Sequence, residues 1–349
     1  LNLSARIESL SQLGVFLAGP SPEQEKLNQY FRAPWEAALQ EASLFNPWFT
    51  PENLRYAVET WAESLAEDKV QNWAQGYPDL ATPIQPKTVA IVMAGNVPLV
   101  GLHDLLAVML SGHKALIKPS SDDNKLMPVL LQILAAINRE WTGFLKLAEG
   151  KLENFDAVIA TGSNNSSRYF EFYFGKYPHI IRKNRSSAAL LRGTESKAEL
   201  QNLGEDVFRY FGLGCRNVSK VYAPLDFDIN RIFEAFYSFH PLGNHQKYAN
   251  NYDYNRAIYL LEKQDFKENG FFIIKENTQL HAPVGVLHLH RYEDDRMLPD
   301  LLEAEADERQ CLVGSAADPL SEVPFGESQK PGLKDYADGV DTLRFLLNL

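Results

Sequence analysis

Apolar residues recur at helical spacing through residues 5–17 and 22–42, and the pattern predicts two amphipathic helices there. The run Asn46-Pro47-Trp48-Phe49-Thr50-Pro51-Glu52-Asn53 breaks it. Thr50 before Pro51 reads as an N-cap with proline at the first helical position, opening a third helix to about residue 66. Tyr56 and Trp61 on that helix read as core. The pattern changes at Thr88. Val89-Ala90-Ile91-Val92-Met93-Ala94 is a continuous apolar run ending at Gly95-Asn96, as expected of a strand buried on both faces of a parallel sheet. Pro98 opens an apolar helix closed by Gly112, and Ala115-Leu116-Ile117 is the next strand, ending at Lys118-Pro119-Ser120.

A helix over residues 122–139 follows, then strands at 144–148 and 157–160 and a helix around 166–174. Ala188-Ala189-Leu190-Leu191 reads as the last strand of this half. Strand and helix alternating in this way predict an α/β fold with a doubly wound sheet behind a helical N-terminal segment. A helix over 196–211 then leads to a tight turn around Cys215. Strands are expected at 218–222, 271–274 and 284–290 in a mixed second half.

Composition narrows the function. The chain has 349 residues, enough for two domains, and a net charge of −11. That charge leaves no excess of Lys and Arg to neutralise phosphates and argues against general nucleic-acid affinity. A local basic pocket remains open, with Arg182-Lys183-Asn184-Arg185 as the candidate. Two cysteines make no disulfide framework and point to a reducing compartment. The longest apolar stretch, 97–110, is interrupted by His103 and Asp104 and is too short to span a bilayer. The N-terminal residues lack the basic and then apolar regions of a signal peptide. The expectation is a cytoplasmic protein.

The candidate chemistry lies at strand ends and in one turn. In Phe211-Gly212-Leu213-Gly214-Cys215-Arg216-Asn217, glycines permit unusual backbone and close approach, and the adjacent arginine favours a thiolate. In a doubly wound sheet, ligands sit at the C-terminal strand edge. Three strand ends there offer suitable groups: Gly95-Asn96, Lys118-Pro119-Ser120 and Thr161-Gly162-Ser163. Lys118 can bond a ribose or a phosphate, and Gly162 and Ser163 precede a helix, a natural phosphate site. Neither G-x-G-x-x-G nor G-x-x-x-x-G-K-[ST] is present. Taken singly, these features read equally well as a cap, a solvated lysine and a turn. His288 and His290 share a strand face but lack further ligands, so they read as packed residues and no metal is expected. Cys311, in an apolar stretch, reads as structural.

In order and spacing, these segments resemble the aldehyde dehydrogenase superfamily. The similarity is greater to the acyl-CoA reductases related to the fatty acyl reductase of bacterial luminescence. The carriers are Met93-Ala94-Gly95-Asn96-Val97-Pro98, Ser111-Gly112-His113-Lys114-Ala115-Leu116-Ile117-Lys118-Pro119-Ser120, Thr161-Gly162-Ser163, Gly212-Leu213-Gly214-Cys215-Arg216 and Tyr336-Ala337-Asp338-Gly339-Val340-Asp341-Thr342. The resemblance implies an aldehyde-dehydrogenase-like fold. It comprises a helical segment and dinucleotide-binding domain over 1–192, a thiol domain over 193–325, and a C-terminal segment, 326–349, returning to the core or an oligomer interface. It makes Cys215 the nucleophile, Asn96 an oxyanion-hole donor and Lys118 the ligand of the adenine ribose. Ser120 and Ser121 lie beside that ribose, and Gly162 and Ser163 near the pyrophosphate. Ser121 falls where many NAD-preferring relatives carry a glutamate that would repel a 2′-phosphate, which favours NADPH over NADH.

Two departures from the superfamily pattern matter. The stretch that resembles Glu-Leu-Gly-Gly-Lys is Ile181-Arg182-Lys183-Asn184-Arg185-Ser186-Ser187, without the carboxylate that activates water. An acyl-enzyme would then hydrolyse slowly and survive to meet CoA or a hydride. The motif Glu-x-Phe-Gly-Pro-Val is represented by Gln279-Leu280-His281-Ala282-Pro283-Val284, leaving open whether Gln279 replaces the glutamate of the nicotinamide ribose. The expected activity is NADPH-dependent reduction of an acyl-CoA to an aldehyde through an acyl-cysteine. The alternatives are another activated acyl donor such as an acyl phosphate, a cofactor-independent acyltransferase or thioesterase, and a non-catalytic scaffold. The resemblance also implies a homo-oligomer and raises the question of an acyl-transferring partner subunit.

Overall fold

The computed structural model describes residues 1–162 and 164–349, with only the backbone described for Asn164 and Asn165. The chain forms two units. Residues 1–183 and 332–349 make the first, and residues 184–331 the second.

In the first unit, α1 (Leu3–Ala18), α2 (Glu25–Phe45), α3 (Pro51–Ser64) and α4 (Glu67–Gln75) precede the sheet. The Asn2 side chain caps α1, and Thr50 caps α3 with Pro51 at its first position, as the sequence predicts. There follow β1 (Thr88–Val92), α5 (Leu102–Ser111), β2 (Lys114–Lys118), α6 (Leu126–Ile137), β3 (Leu145–Leu147), β4 (Ala157–Thr161), α7 (Asn164–Phe174) and β5 (His179–Arg182). The five strands are parallel in the order β3-β2-β1-β4-β5. Such an order reverses direction between β1 and β4, the switch point at which doubly wound sheets bind ligands. Val89, Ala90 and Ile91 are fully buried, which is why β1 reads as an unbroken apolar run. Helix α5 is buried along its whole length and ends at Gly112, whose φ of 85° suits glycine. The buried Arg6 guanidinium donates to Leu110 O and Leu80 O, both at 2.8 Å, riveting α1 to the end of α5.

The second unit contains β6 (Ser186–Leu190), α8 (Lys197–Phe208), β7 (Val218–Pro224), α9 (Asn230–Phe236), α10 (Gln246–Leu261), β8 (Lys267–Glu268), β9 (Ile273–Glu276), β10 (Val286–Tyr292), α11 (Leu298–Glu303), β11 (Arg309–Gly314) and β12 (Val323–Pro324). Its seven-stranded sheet runs β12-β11-β6-β7-β10-β9-β8, with β8 and β9 antiparallel and the other pairs parallel. The apolar run at 188–191, expected to close the first sheet, lies instead in the middle of this one, between β7 and β11. A continuous apolar run reports burial on both faces, not which sheet supplies the neighbours.

The final helix, α12 (Thr342–Leu347), packs in the first unit, where Leu333, Leu343 and Leu346 join the core. Tyr336 OH lies 2.8 Å from both Trp73 Nε1 and Tyr77 OH, and Tyr77 OH donates to Asp341 Oδ2 at 2.8 Å. Among the described residues, no helix is long and apolar enough to cross a membrane.

Candidate functional site

The candidate ligand residues of the first unit come from three adjacent strand ends. Val92 is in register with Lys118 on one side and Ala160 on the other, so the loops after β1, β2 and β4 leave the sheet side by side. Asn96 is exposed just beyond β1, and Lys118 is exposed at the end of β2. Ser120 accepts a hydrogen bond from the Asp122 N–H at 3.2 Å, and Ser121 is exposed next to it. A Cβ on Gly95 would lie 2.5 Å from Ser120 Oγ, so the loops approach this closely only with glycine there. A Cβ on Gly162 would lie 2.8 Å from the Phe170 ring and 2.9 Å from Ser166 Cβ. Asn96, Lys118, Ser120, Ser121 and Gly162 thus share one sheet edge, while Ser163 lies outside the described residues.

Sequence reasoning missed Asp123 at this edge. One of its oxygens accepts from the Leu99 N–H at 2.9 Å, holding Leu99 at a φ of 57° in the loop that carries Asn96. The other oxygen is buried with no hydrogen-bond partner among the described residues. Burial pushes the carboxyl up to about 6, against the pull of the Leu99 N–H.

In the second unit, Cys215 is half-buried on a turn between α8 and β7. The chain enters through three consecutive left-handed residues, Tyr210, Phe211 and Gly212, at φ 54°, 60° and 77°. Such a conformation in two non-glycine residues costs about 1–2 kcal/mol each, and the buried Tyr210 and Phe211 side chains hold it. The turn closes with Asn217 N–H donating to Gly214 O at 3.0 Å. Asn217 is itself buried. Its Oδ1 accepts from Gly214 N–H at 2.8 Å, and its Nδ2 donates to Asp206 O at 3.0 Å and Arg209 O at 2.8 Å. Those carbonyls belong to the end of α8, where the helix has no further N–H to offer them. From below, the fully buried Ser187 hydroxyl donates to Cys215 O at 3.1 Å and lies 3.1 Å from Cys311 Sγ. Burial pushes the Cys311 thiol up, keeping it protonated.

The arginine beside the cysteine is held too. Arg216 Nε donates to Ser328 O at 2.6 Å, and the Ser328 and Gly326 N–H groups donate to the buried Asp206 carboxylate at 2.9 and 2.6 Å. Asn217, Ser187 and Asp206 escaped the sequence reading. Asn217 alone left a signal, as a turn-forming residue two positions after the cysteine.

Other candidates resolve into structural roles. Arg182, offered as part of a basic pocket, is buried against Asp104 at 2.6 Å and donates to Thr342 Oγ1 at 2.8 Å. Arg185 donates to Arg309 O at 3.1 Å. His288 is buried, its Nδ1 2.8 Å from Gln279 O, while the His290 ring lies tilted against Tyr222 with centroids 5.2 Å apart. The Gln279 side chain is exposed. Lys220, fully buried on β7, reaches Glu305 Oε1 at 2.5 Å, and Tyr222 donates to the other oxygen at 2.5 Å. Among the described residues, no group of three or more His, Cys, Asp or Glu side chains is placed to hold a metal ion.

The fold is that of the aldehyde dehydrogenases. The aldehyde dehydrogenase KauB from Pseudomonas aeruginosa superposes with a TM-score of 0.68 at 13% identity, over 93% of this chain and 76% of that one. An aldehyde dehydrogenase from Physcomitrella patens, solved with the reaction product succinate, superposes with 0.66 at 14% identity, over 98% and 87%. An NADP-dependent enzyme from E. coli does so with 0.62 at 12% identity, over 93% and 77%. No curated protein matches the sequence. The chain belongs to the acyl-CoA reductase (LuxC) family, whose model matches residues 36–222, a segment that includes both Asn96 and Cys215. Family and fold together support an oxidoreductase of the acyl reductase or aldehyde dehydrogenase type.

Proposed function

We propose that the protein reduces an acyl-CoA, a fatty acyl thioester in the first instance, to the aldehyde through an acyl-cysteine on Cys215. The observation that carries the reading is the group found beneath that cysteine. The stretch that matches the superfamily's water-activating motif, and lacks its carboxylate, delivers the Ser187 hydroxyl to the Cys215 carbonyl. A serine hydroxyl is no general base near neutral pH, so the acyl-enzyme is protected from hydrolysis and kept for reduction.

The thiolate of Cys215 attacks the thioester carbon, a C–S bond forms, and CoA leaves as its thiolate. Covalent capture divides one difficult substitution into two easier ones. The developing oxyanion is stabilised by backbone N–H at the Cys215 turn, with the Asn96 amide as the side-chain donor implied by the family resemblance. A nicotinamide dinucleotide held by Lys118, Ser120 and Ser121 would supply a hydride to the acyl carbon. The oxyanion of the resulting hemithioacetal re-forms the carbonyl, the C–S bond breaks, and aldehyde and the Cys215 thiolate are released.

The sheet edge of the first unit fits the adenosine half of such a cofactor. Lys118 offers a cation to ribose hydroxyls, Ser120 and Ser121 offer hydroxyls, and Gly95 and Gly162 leave backbone bare where a Cβ would intrude. Ser121 carries no charge to repel a 2′-phosphate, which favours NADPH over NADH. The test is dinucleotide oxidation with NADPH and NADH across acyl-CoA chain lengths, with Cys215→Ala as control. Aldehyde formed in step with NADPH loss, and absent from the variant, supports the reading. Continued release of CoA, beyond one equivalent per site, without any dinucleotide refutes it in favour of a transferase or thioesterase.

A further inference from the structure

The turn at Cys215 is fixed more fully than a surface loop requires. Both peptide planes flanking the cysteine end in a hydrogen bond to a buried side chain or within the turn. On the N-terminal side, Gly214 O accepts from Asn217 N–H at 3.0 Å. The C=O and N–H of a trans peptide point in opposite directions, so this bond turns the Cys215 N–H out of the turn. On the C-terminal side, Cys215 O accepts from Ser187 Oγ at 3.1 Å, drawing that carbonyl down toward β6. Ser187 also donates its own N–H to Asn217 O at 3.1 Å. Asn217 connects the assembly to α8, with Nδ2 on the Asp206 and Arg209 carbonyls.

We propose that Asn217 and Ser187 are positioning residues for Cys215, which together aim its N–H outward so that it serves as an oxyanion donor when the thiol is acylated. The proposal rests on the reading of Cys215 as the nucleophile. Cys311 completes the arrangement. Its Sγ lies 3.1 Å from Ser187 Oγ, and burial keeps it as the thiol, an S–H donor. With that proton supplied, the serine's own proton is committed to the Cys215 carbonyl. Asn217 also explains how the left-handed run at residues 210–212 is sustained: its side chain joins the end of α8 to Gly214 across the strained segment.

Two reactions of one thiol separate aim from reactivity. Acylation builds charge on an oxygen and needs the donor; alkylation by iodoacetamide builds no oxyanion and does not. Rates at Cys215, assigned by peptide mapping, are measured with decanoyl-CoA and with iodoacetamide in the wild type, Asn217→Ala, Ser187→Ala and Ser187→Thr. Loss of an oxyanion donor costs on the order of 10²-fold. Acylation is expected to fall about tenfold to 10²-fold in Asn217→Ala and Ser187→Ala, alkylation to change less than about threefold, and Ser187→Thr to retain acylation. Ser187→Ala removes only a hydroxyl and keeps the test available if Asn217→Ala does not fold. A wild type that is acylated, with variants that match it or lose both reactions in parallel, overturns the positioning role alone. A wild type that is alkylated and never acylated overturns the nucleophile reading, and the positioning role with it.

Discussion

Acidification from pH 7 should stabilise the second unit through Asp206. This side chain is fully buried on α8 and accepts the N–H groups of Gly326 and Ser328. Burial outweighs those bonds, and its carboxyl is pushed up from 3.8 to about 6. A folded acid with a raised pKa binds its proton more tightly than the unfolded chain, so stability is lost as pH rises through the interval between the two values. The difference corresponds to about 3 kcal/mol carried as a penalty at pH 7, roughly half relieved by pH 5 and nearly all below pH 4. The assay is urea unfolding followed by far-ultraviolet circular dichroism between pH 4 and 8, for the wild type and Asp206→Asn. Asp123 titrates in the same direction, with its carboxyl also near 6, so the quantity to read is wild type minus variant. That difference should move by about 2 kcal/mol in favour of the wild type from pH 7 to 4. A flat difference, or one that favours the wild type as pH rises, refutes the assignment of a desolvated carboxylate at this position.

Three substitutions probe the first unit. Arg182→Met leaves the buried Asp104 carboxylate unpaired and should cost about 3–5 kcal/mol in urea unfolding, with much of the loss recovered when Asp104→Leu is added. Gly95→Ala places a methyl 2.5 Å from Ser120 Oγ. Overpacking of this kind costs about 1–3 kcal/mol, and the dinucleotide KM should rise about tenfold while acylation of Cys215 by acyl-CoA is unchanged. Asn96→Ala should lower turnover by about 10²–10³-fold with alkylation of Cys215 unaffected; a negligible loss removes Asn96 from the oxyanion hole.

The first unit was largely legible because its strands are buried on both faces and bounded by turn residues. The run at 89–94 became β1, 115–117 became β2 and 157–160 became β4, each within a residue or two. The misreadings lie at the strand ends that hold candidate ligands. The helix expected from Pro98 begins only at Leu102, because Leu99 takes a left-handed conformation and Gly101 packs on Met93, where a Cβ would lie 2.4 Å from Cγ. The helix expected from Asp122 begins at Leu126, because Asp122 and Asp123 are spent on the loop, the latter on the Leu99 N–H. Strand β5 went unseen, since only Ile180 and Arg182 are buried in its four residues and one of them is charged.

Candidate site residues were legible where chemistry sits on a distinctive neighbour pattern, as with a cysteine among glycines. The residues that hold that cysteine were not. Asn217 is an ordinary turn residue until its amide is seen on the end of α8. Ser187 stands 28 positions before the carbonyl it bonds and Asp206 120 positions before Gly326. Pairings at such separation are made by sheet order and leave no local periodicity to read.

In the proposed reaction, Cys215 carries the acyl group and gives it up as an aldehyde. The most direct test is mass spectrometry of the protein incubated with an acyl-CoA and quenched before and after NADPH is added. The expected result is an acyl adduct on Cys215 that persists without the dinucleotide, disappears with stoichiometric aldehyde when NADPH is added, and never forms in Cys215→Ala. An adduct at another residue, or one discharged as the free acid, would contradict it.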